Sequence, residues 1–112
     1  MIDVSSLLKK AEIYAKSRNI NLLKQGCLGF GTDGAVWETD RETVVKVLER
    51  PVVYERERDC YRRFKERDVI EIAGFAVPEL VDCEDELLAI EMTFVNPPRV
   101  LDFGKVYIDC LP

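Results

Sequence analysis

GFGTDGAVWETDRETVVKVL, residues 29–48, is the stretch that decides how this chain folds. Its first eight residues fit G-x-G-x-x-G-x-V, with glycines at 29, 31 and 34 and valine at 36. That spacing has two mechanical readings. In a dinucleotide-binding fold the last glycine opens a helix. In the other, the glycines lie in a β-hairpin that folds over phosphates, where backbone N–H groups must come close and a side chain would block them. The residues after Gly34 separate the two. Val36, Trp37 and Thr39 are poor helix starters, and the polar corner Thr39-Asp40-Arg41-Glu42 arrives too soon for a crossover helix. Glu49 stands where a ribose-binding acid would lie in the first reading, and we take that as coincidence. A hairpin with no ligand fits the motif too, and Asp33 favours it, because a carboxylate at the loop tip repels phosphate.

Working outward, Thr43–Leu48 is β-branched and strand-like, so the segment reads as an antiparallel meander. Lys46 interrupts its apolar run and shares a face with Val44 and Leu48. An ammonium on such a face needs a partner or must snorkel to water. Pro51 then starts a helix in the first-turn position that suits proline, and the helix runs to about Glu66. Val53, Glu57, Cys60, Tyr61 and Phe64 form one stripe of it, and Glu57 is the stripe's only charge. Glu57 can sit at the stripe's edge in water, or it can pair with Lys46.

The flanks are simpler. Asp3 or Ser5 can cap a first helix whose broad apolar side is Leu7, Leu8, Ala11, Ile13, Tyr14 and Ala15, ending near Ser17–Asn19. A short strand is possible at Val69–Ala73. Leu80–Cys83 and Leu87–Met92 read as strands joined by the acidic turn Glu84-Asp85-Glu86. Pro97-Pro98 ends the regular part, and an apolar, irregular tail follows. The expected fold class is α+β: a twisted antiparallel sheet of about five strands with one main packed helix, plus the N-terminal helix. The expected organisation is helix 1–20, a lobe over 21–95 and a tail over 96–112.

Composition removes several classes of function. The 112 residues carry a net charge of −5, with 47% hydrophobic and 33% charged residues. An acidic chain without a basic block is not expected to bind nucleic acid or an anionic membrane surface. No apolar run approaches a membrane span, and residues 1–19 lack a signal-peptide core, so the cytoplasm is the expected location. Four cysteines without zinc-knuckle spacing, and no histidine, give no metal site. They read as reduced, mostly buried thiols.

A glycine-rich hairpin, a strand lysine, a helix glutamate and then two strands, in this order, resemble the amino-terminal lobe of the protein-kinase-like superfamily. The carriers are GFGTDGAV, VVKVL with Lys46, and YERERDCYRRF with Glu57, and the resemblance covers roughly residues 22–95. Within the superfamily it looks most like uncharacterised bacterial kinase-like proteins. The resemblance implies ATP as ligand, with Gly29, Gly31 and Gly34 covering the phosphates beside Val36. Lys46 would hold the α- and β-phosphates and Glu57 would orient it. Glu91, Met92 and Thr93 would form the hinge that meets adenine through its backbone, with Met92 or Ala89 near the purine.

A catalytic-loop base and its magnesium ligands are not found, so no catalytic residue is assigned here. Magnesium is expected only with a large lobe. Asp102-Phe103-Gly104 spells a magnesium motif, but too close after the hinge, and reads as a turn. The implied function is an ATP-binding lobe of a phosphotransferase that is catalytically incomplete as this chain. The alternative is a stand-alone, pseudokinase-like module that binds nucleotide or protein. Expected partners are nucleotide and, through residues 95–112, a large lobe or a second copy of the chain.

Overall fold

The computed structural model describes the backbone of residues 4–30, 33–72 and 75–94 and the side chains of 4–23, 33–71 and 77–94. Gly31, the tail from 95 to 112 with its D-F-G triplet, and the candidate cap Asp3 lie outside the described residues.

The elements run α1 (Val4–Ser17), β1 (Leu22–Phe30), β2 (Gly34–Thr39), β3 (Thr43–Leu48), α2 (Pro51–Glu66), β4 (Glu71–Ile72), β5 (Phe75–Ala76), β6 (Leu80–Glu84) and β7 (Ala89–Thr93). Five strands form one antiparallel sheet in the order β1-β2-β3-β7-β6, as expected for the α+β class. The strand anticipated at 69–73 becomes a separate two-stranded hairpin, β4–β5. Both helices stop in the same way. Asn19 and Asp68 take positive φ, and the following residue donates back to the carbonyl five positions earlier: Ile20 to Ala15, and Val69 to Phe64.

β3 is the central strand, and its alternation divides the core. Val45 and Val47 face α1, together with Ala35, Trp37 and Ala89. Val44 and Leu48 face α2, together with Ile90 and Met92. A strand covered on both faces reads as a nearly continuous apolar run, which is why TVVKVL carries a single charge. The first helix is therefore a full layer rather than an appendage, burying Leu7, Ala11, Tyr14 and Ala15 at helical spacing. Ile13, expected on that stripe, is 56% exposed. It lies two and one positions before Ala15 and Tyr14, off the face they define.

Beneath α1 lies a polar knot. Glu91 on β7 is fully buried, and its carboxylate accepts from Tyr14 Oη (2.9 Å), Thr43 Oγ1 (2.6 Å) and a two-pronged Arg41 fork (3.0 and 2.9 Å). Burial pushes the Glu91 carboxyl up, but the hydrogen bonds from Arg41, Thr43 and Tyr14 outweigh it and hold it below its usual range. Burial, with Glu91 next, raises the Tyr14 phenol well above its ordinary value.

Cysteine state departs from expectation. Cys83 is free, but Cys60 is disulfide-bonded. Pairing depends on proximity in the fold, which spacing in the sequence does not encode.

The two shifts fix the pH dependence. A lowered Glu91 pKa contributes stability above the unfolded carboxyl value, about 4.3, that is lost as pH falls through the folded value. A raised Tyr14 pKa contributes stability below about 10, lost as pH rises beyond it. Denaturant titrations should show Glu91→Gln costing about 1–3 kcal/mol at neutral pH and flattening the acid limb. Tyr14→Phe should flatten the alkaline limb instead.

Candidate nucleotide site

The site is built on the α2 face of the sheet. Strand register places Val36 of β2 directly across from Lys46 of β3, and Lys46 across from Ile90 of β7. The next row is Glu38, Val44 and Met92. Val36, Val44, Lys46 and Met92 thus share one face of the sheet, with Ile90 beside Lys46 and the Glu38 carboxylate at the end of the Val44 row. Lys46 Nζ donates to Glu57 Oε1 at 2.8 Å, with side chains 19% and 8% exposed. The strand lysine and the helix carboxylate, singled out separately from pattern, are therefore partners, and each removes the desolvation problem of the other.

Helix α2 is held in the position that makes this pair. Tyr54, Cys60, Tyr61 and Phe64 bury the face on which Glu57 lies. Two side-chain anchors fix its long axis. Asp85, in the turn between β6 and β7, accepts from Tyr54 Oη (2.5 Å) and Arg58 Nη1 (3.1 Å). Those two partners hold the Asp85 carboxyl below its usual range. Nearer the helix end, Lys65 Nζ donates to the Leu80 carbonyl at 2.8 Å. No single window of sequence contains these partners, so pattern reading missed Tyr54 and Asp85. The tyrosine beside the expected stripe was the available signal.

The glycine hairpin forms as β1 and β2, with no helix after Gly34, and Gly29 pairs with Val36. Gly34 pairs with Leu48, and a Cβ placed on it would come within 2.3 Å of the Val47 carbonyl oxygen. This position admits no side chain without moving the main chain. Asp33, at the loop's end, is tied to Arg50 by an ion pair, and its carbonyl accepts the Glu49 N–H at 2.8 Å.

The end of β7 is arranged differently from a bare hinge. Glu91 points its carboxylate to the α1 side, and Ala89 packs there too, whereas Met92 packs on the α2 side. The N–H of Thr93 donates to the Glu79 carbonyl (2.9 Å) and that of Phe94 to the Glu42 carbonyl (3.2 Å). Thr93 Oγ1 accepts from the Glu79 N–H at 2.9 Å. Among the described residues no group of three or more His, Cys, Asp or Glu side chains could hold a metal ion, and no helix is long and apolar enough to cross a membrane.

An open five-stranded antiparallel sheet, a glycine hairpin at one edge and a lysine on the third strand paired to a helix glutamate define the fold of the amino-terminal lobe of kinase-like phosphotransferases. Solved structures agree. The chain is similar to the aminoglycoside phosphotransferase APH(2'')-IIa in its ternary complex with streptomycin and ATP, at 20% identity and a TM-score of 0.60, covering 89% of this chain and 31% of that one. It is also similar to APH(2'')-IIa bound to gentamicin (21% identity, TM-score 0.54, 89% and 31%). A third match is ADP-bound APH(2'')-Ib (20% identity, TM-score 0.52, 80% and 29%). The chain spans about a third of the length of these proteins. No protein-family model and no curated protein matches the sequence.

The ion pair gives a prediction that separates stability from function. Lys46→Met leaves Glu57 inside an apolar face without its cation, which should cost about 1–3 kcal/mol. The double variant Lys46→Met/Glu57→Leu should return to within about 1 kcal/mol of the parent, because an apolar pair of similar size replaces a buried ion pair at little cost. Urea denaturation of the parent, both single variants and the double variant measures the coupling.

Proposed function

We propose that this chain is the nucleotide-binding lobe of a kinase-like phosphotransferase and that ATP lies on the α2 face of the sheet. The observation that carries this reading is the 2.8 Å Lys46–Glu57 pair, set directly across from Val36, which itself pairs with Gly29 of the hairpin. A lysine whose amine is fixed by a carboxylate presents its remaining protons in one direction, which suits the α- and β-phosphates of a nucleotide. Gly29, Gly31 and Gly34 would let main-chain N–H groups approach those phosphates. Val36, Val44 and Met92 offer the apolar surface for a purine. The N–H groups of Thr93 and Phe94 already have main-chain partners, so within Glu91–Thr93 a base would meet the backbone through other groups than these. Glu91 contributes to this hinge by fixing β7 through its saturated carboxylate, which is not left over for the ligand.

Phosphoryl transfer itself needs a base and metal ligands, and the proposal assigns both to a large lobe. The acceptor would be chosen there too. The solved neighbours are aminoglycoside phosphotransferases, caught with streptomycin, gentamicin, ATP or ADP.

The test is calorimetric titration of the chain with ATP, combined with a phosphoryl-transfer assay. Weak ATP binding that Lys46→Met abolishes is expected, with no transfer by residues 1–112 alone. Robust transfer from purified 1–112, abolished by Lys46→Ala, would refute catalytic incompleteness. A folded chain that binds no nucleotide would favour the protein-binding module instead.

A further inference from the structure

The carboxylate of Asp33, at the shoulder of the hairpin, opposes phosphate binding, and the structure shows what offsets it. Arg50 Nη2 reaches the Asp33 carboxylate, and the two side chains are 64% and 32% exposed. Two main-chain features reinforce this link. The Glu49 N–H donates to the Asp33 carbonyl at 2.8 Å, and Gly34 packs so tightly on Val47 and Leu48 that no Cβ fits. Arg50 is also the residue that enters α2. Its backbone is extended, its carbonyl accepts the Tyr54 N–H at 3.0 Å, and its side chain makes no capping bond. The shoulder of the glycine hairpin is thereby fastened to the first turn of the helix that carries Glu57.

We infer that Arg50 is a positioning residue that tethers the glycine hairpin to α2 and cancels the Asp33 charge where a polyphosphate would lie. The tether joins the two parts that must meet a nucleotide together: the loop, and the helix that orients Lys46. The mechanical half of this inference stands on the contacts alone. The electrostatic half rests on the nucleotide reading above.

Two measurements test the halves separately. Amide hydrogen exchange on the full chain without ligand reads the tether. Arg50→Ala and Asp33→Asn should each speed exchange of the Glu49 N–H and of the first turn of α2, while Arg62→Ala, farther along α2, should not. Unchanged exchange at Glu49 in both variants overturns the tether, whatever the chain binds. Titrations with ATP and with adenosine at low salt read the charge. Arg50→Ala should weaken ATP about two- to fivefold and leave adenosine unaffected. Asp33→Asn/Arg50→Ala should restore ATP affinity, and added salt should shrink the difference. Equal weakening of ATP and adenosine, or no rescue by the double variant, overturns the electrostatic role. The expected exchange pattern in a chain that binds neither ligand would support the tether and count against the nucleotide reading.

Discussion

An ammonium on the central strand of a sheet that is covered on both faces must either reach water or meet something opposite in charge. Here that partner comes from a helix, and the requirement propagates through the structure. For Glu57 to reach Lys46, α2 must lie across β3 with its Tyr54–Phe64 face inward. For α2 to lie there, the chain must turn from β3 into the helix within two residues, which Glu49 and Arg50 accomplish before Pro51. The same turn draws the end of the glycine hairpin against β3 through Gly34. Pair, helix and hairpin are thus fixed by one geometric demand.

The opposite face answers a similar demand with different chemistry. Glu91 has no exposed surface, yet a phenol, a hydroxyl and a guanidinium all donate to it. This network is fully satisfied, and no buried side-chain N or O atom among the described residues lacks a partner. It locks α1 and the β2–β3 corner onto β7. Lys46–Glu57 is a simpler arrangement: a single ion pair in which the lysine keeps some exposure. A pair whose lysine keeps spare donors and some exposure is where a charged ligand can be accommodated, whereas the saturated Glu91 knot has nothing left to offer one.

Period explains what could be read from the sequence. Alternation in TVVKVL gave the face of Lys46, and the spacing of Val53, Glu57, Cys60, Tyr61 and Phe64 gave the face of Glu57; pattern left their meeting open, and only their order after the glycine loop favoured it. The limits of α2 were set by Pro51 and by the end of the stripe. The role of the Glu91 carboxylate was not legible, because its partners Tyr14 and Arg41 lie 77 and 50 residues away. Chain order alone placed that residue at a hinge. β4 and β5 span two residues each, too short for alternation to register. Asp33 and Arg50 are 17 residues apart, and only the fold shows that one offsets the other.

The central claim is that nucleotide occupies the face of the sheet shared by Val36, Val44, Lys46 and Met92. Heteronuclear NMR of the isotope-labelled chain, titrated with a non-hydrolysable ATP analogue, addresses it residue by residue. Shift changes are predicted to concentrate at the glycine hairpin, Val36, Val44, Lys46 and the end of β7, with α1 and the Tyr14–Glu91 knot silent. Changes centred on α1, or none at millimolar analogue in a folded chain, would contradict it.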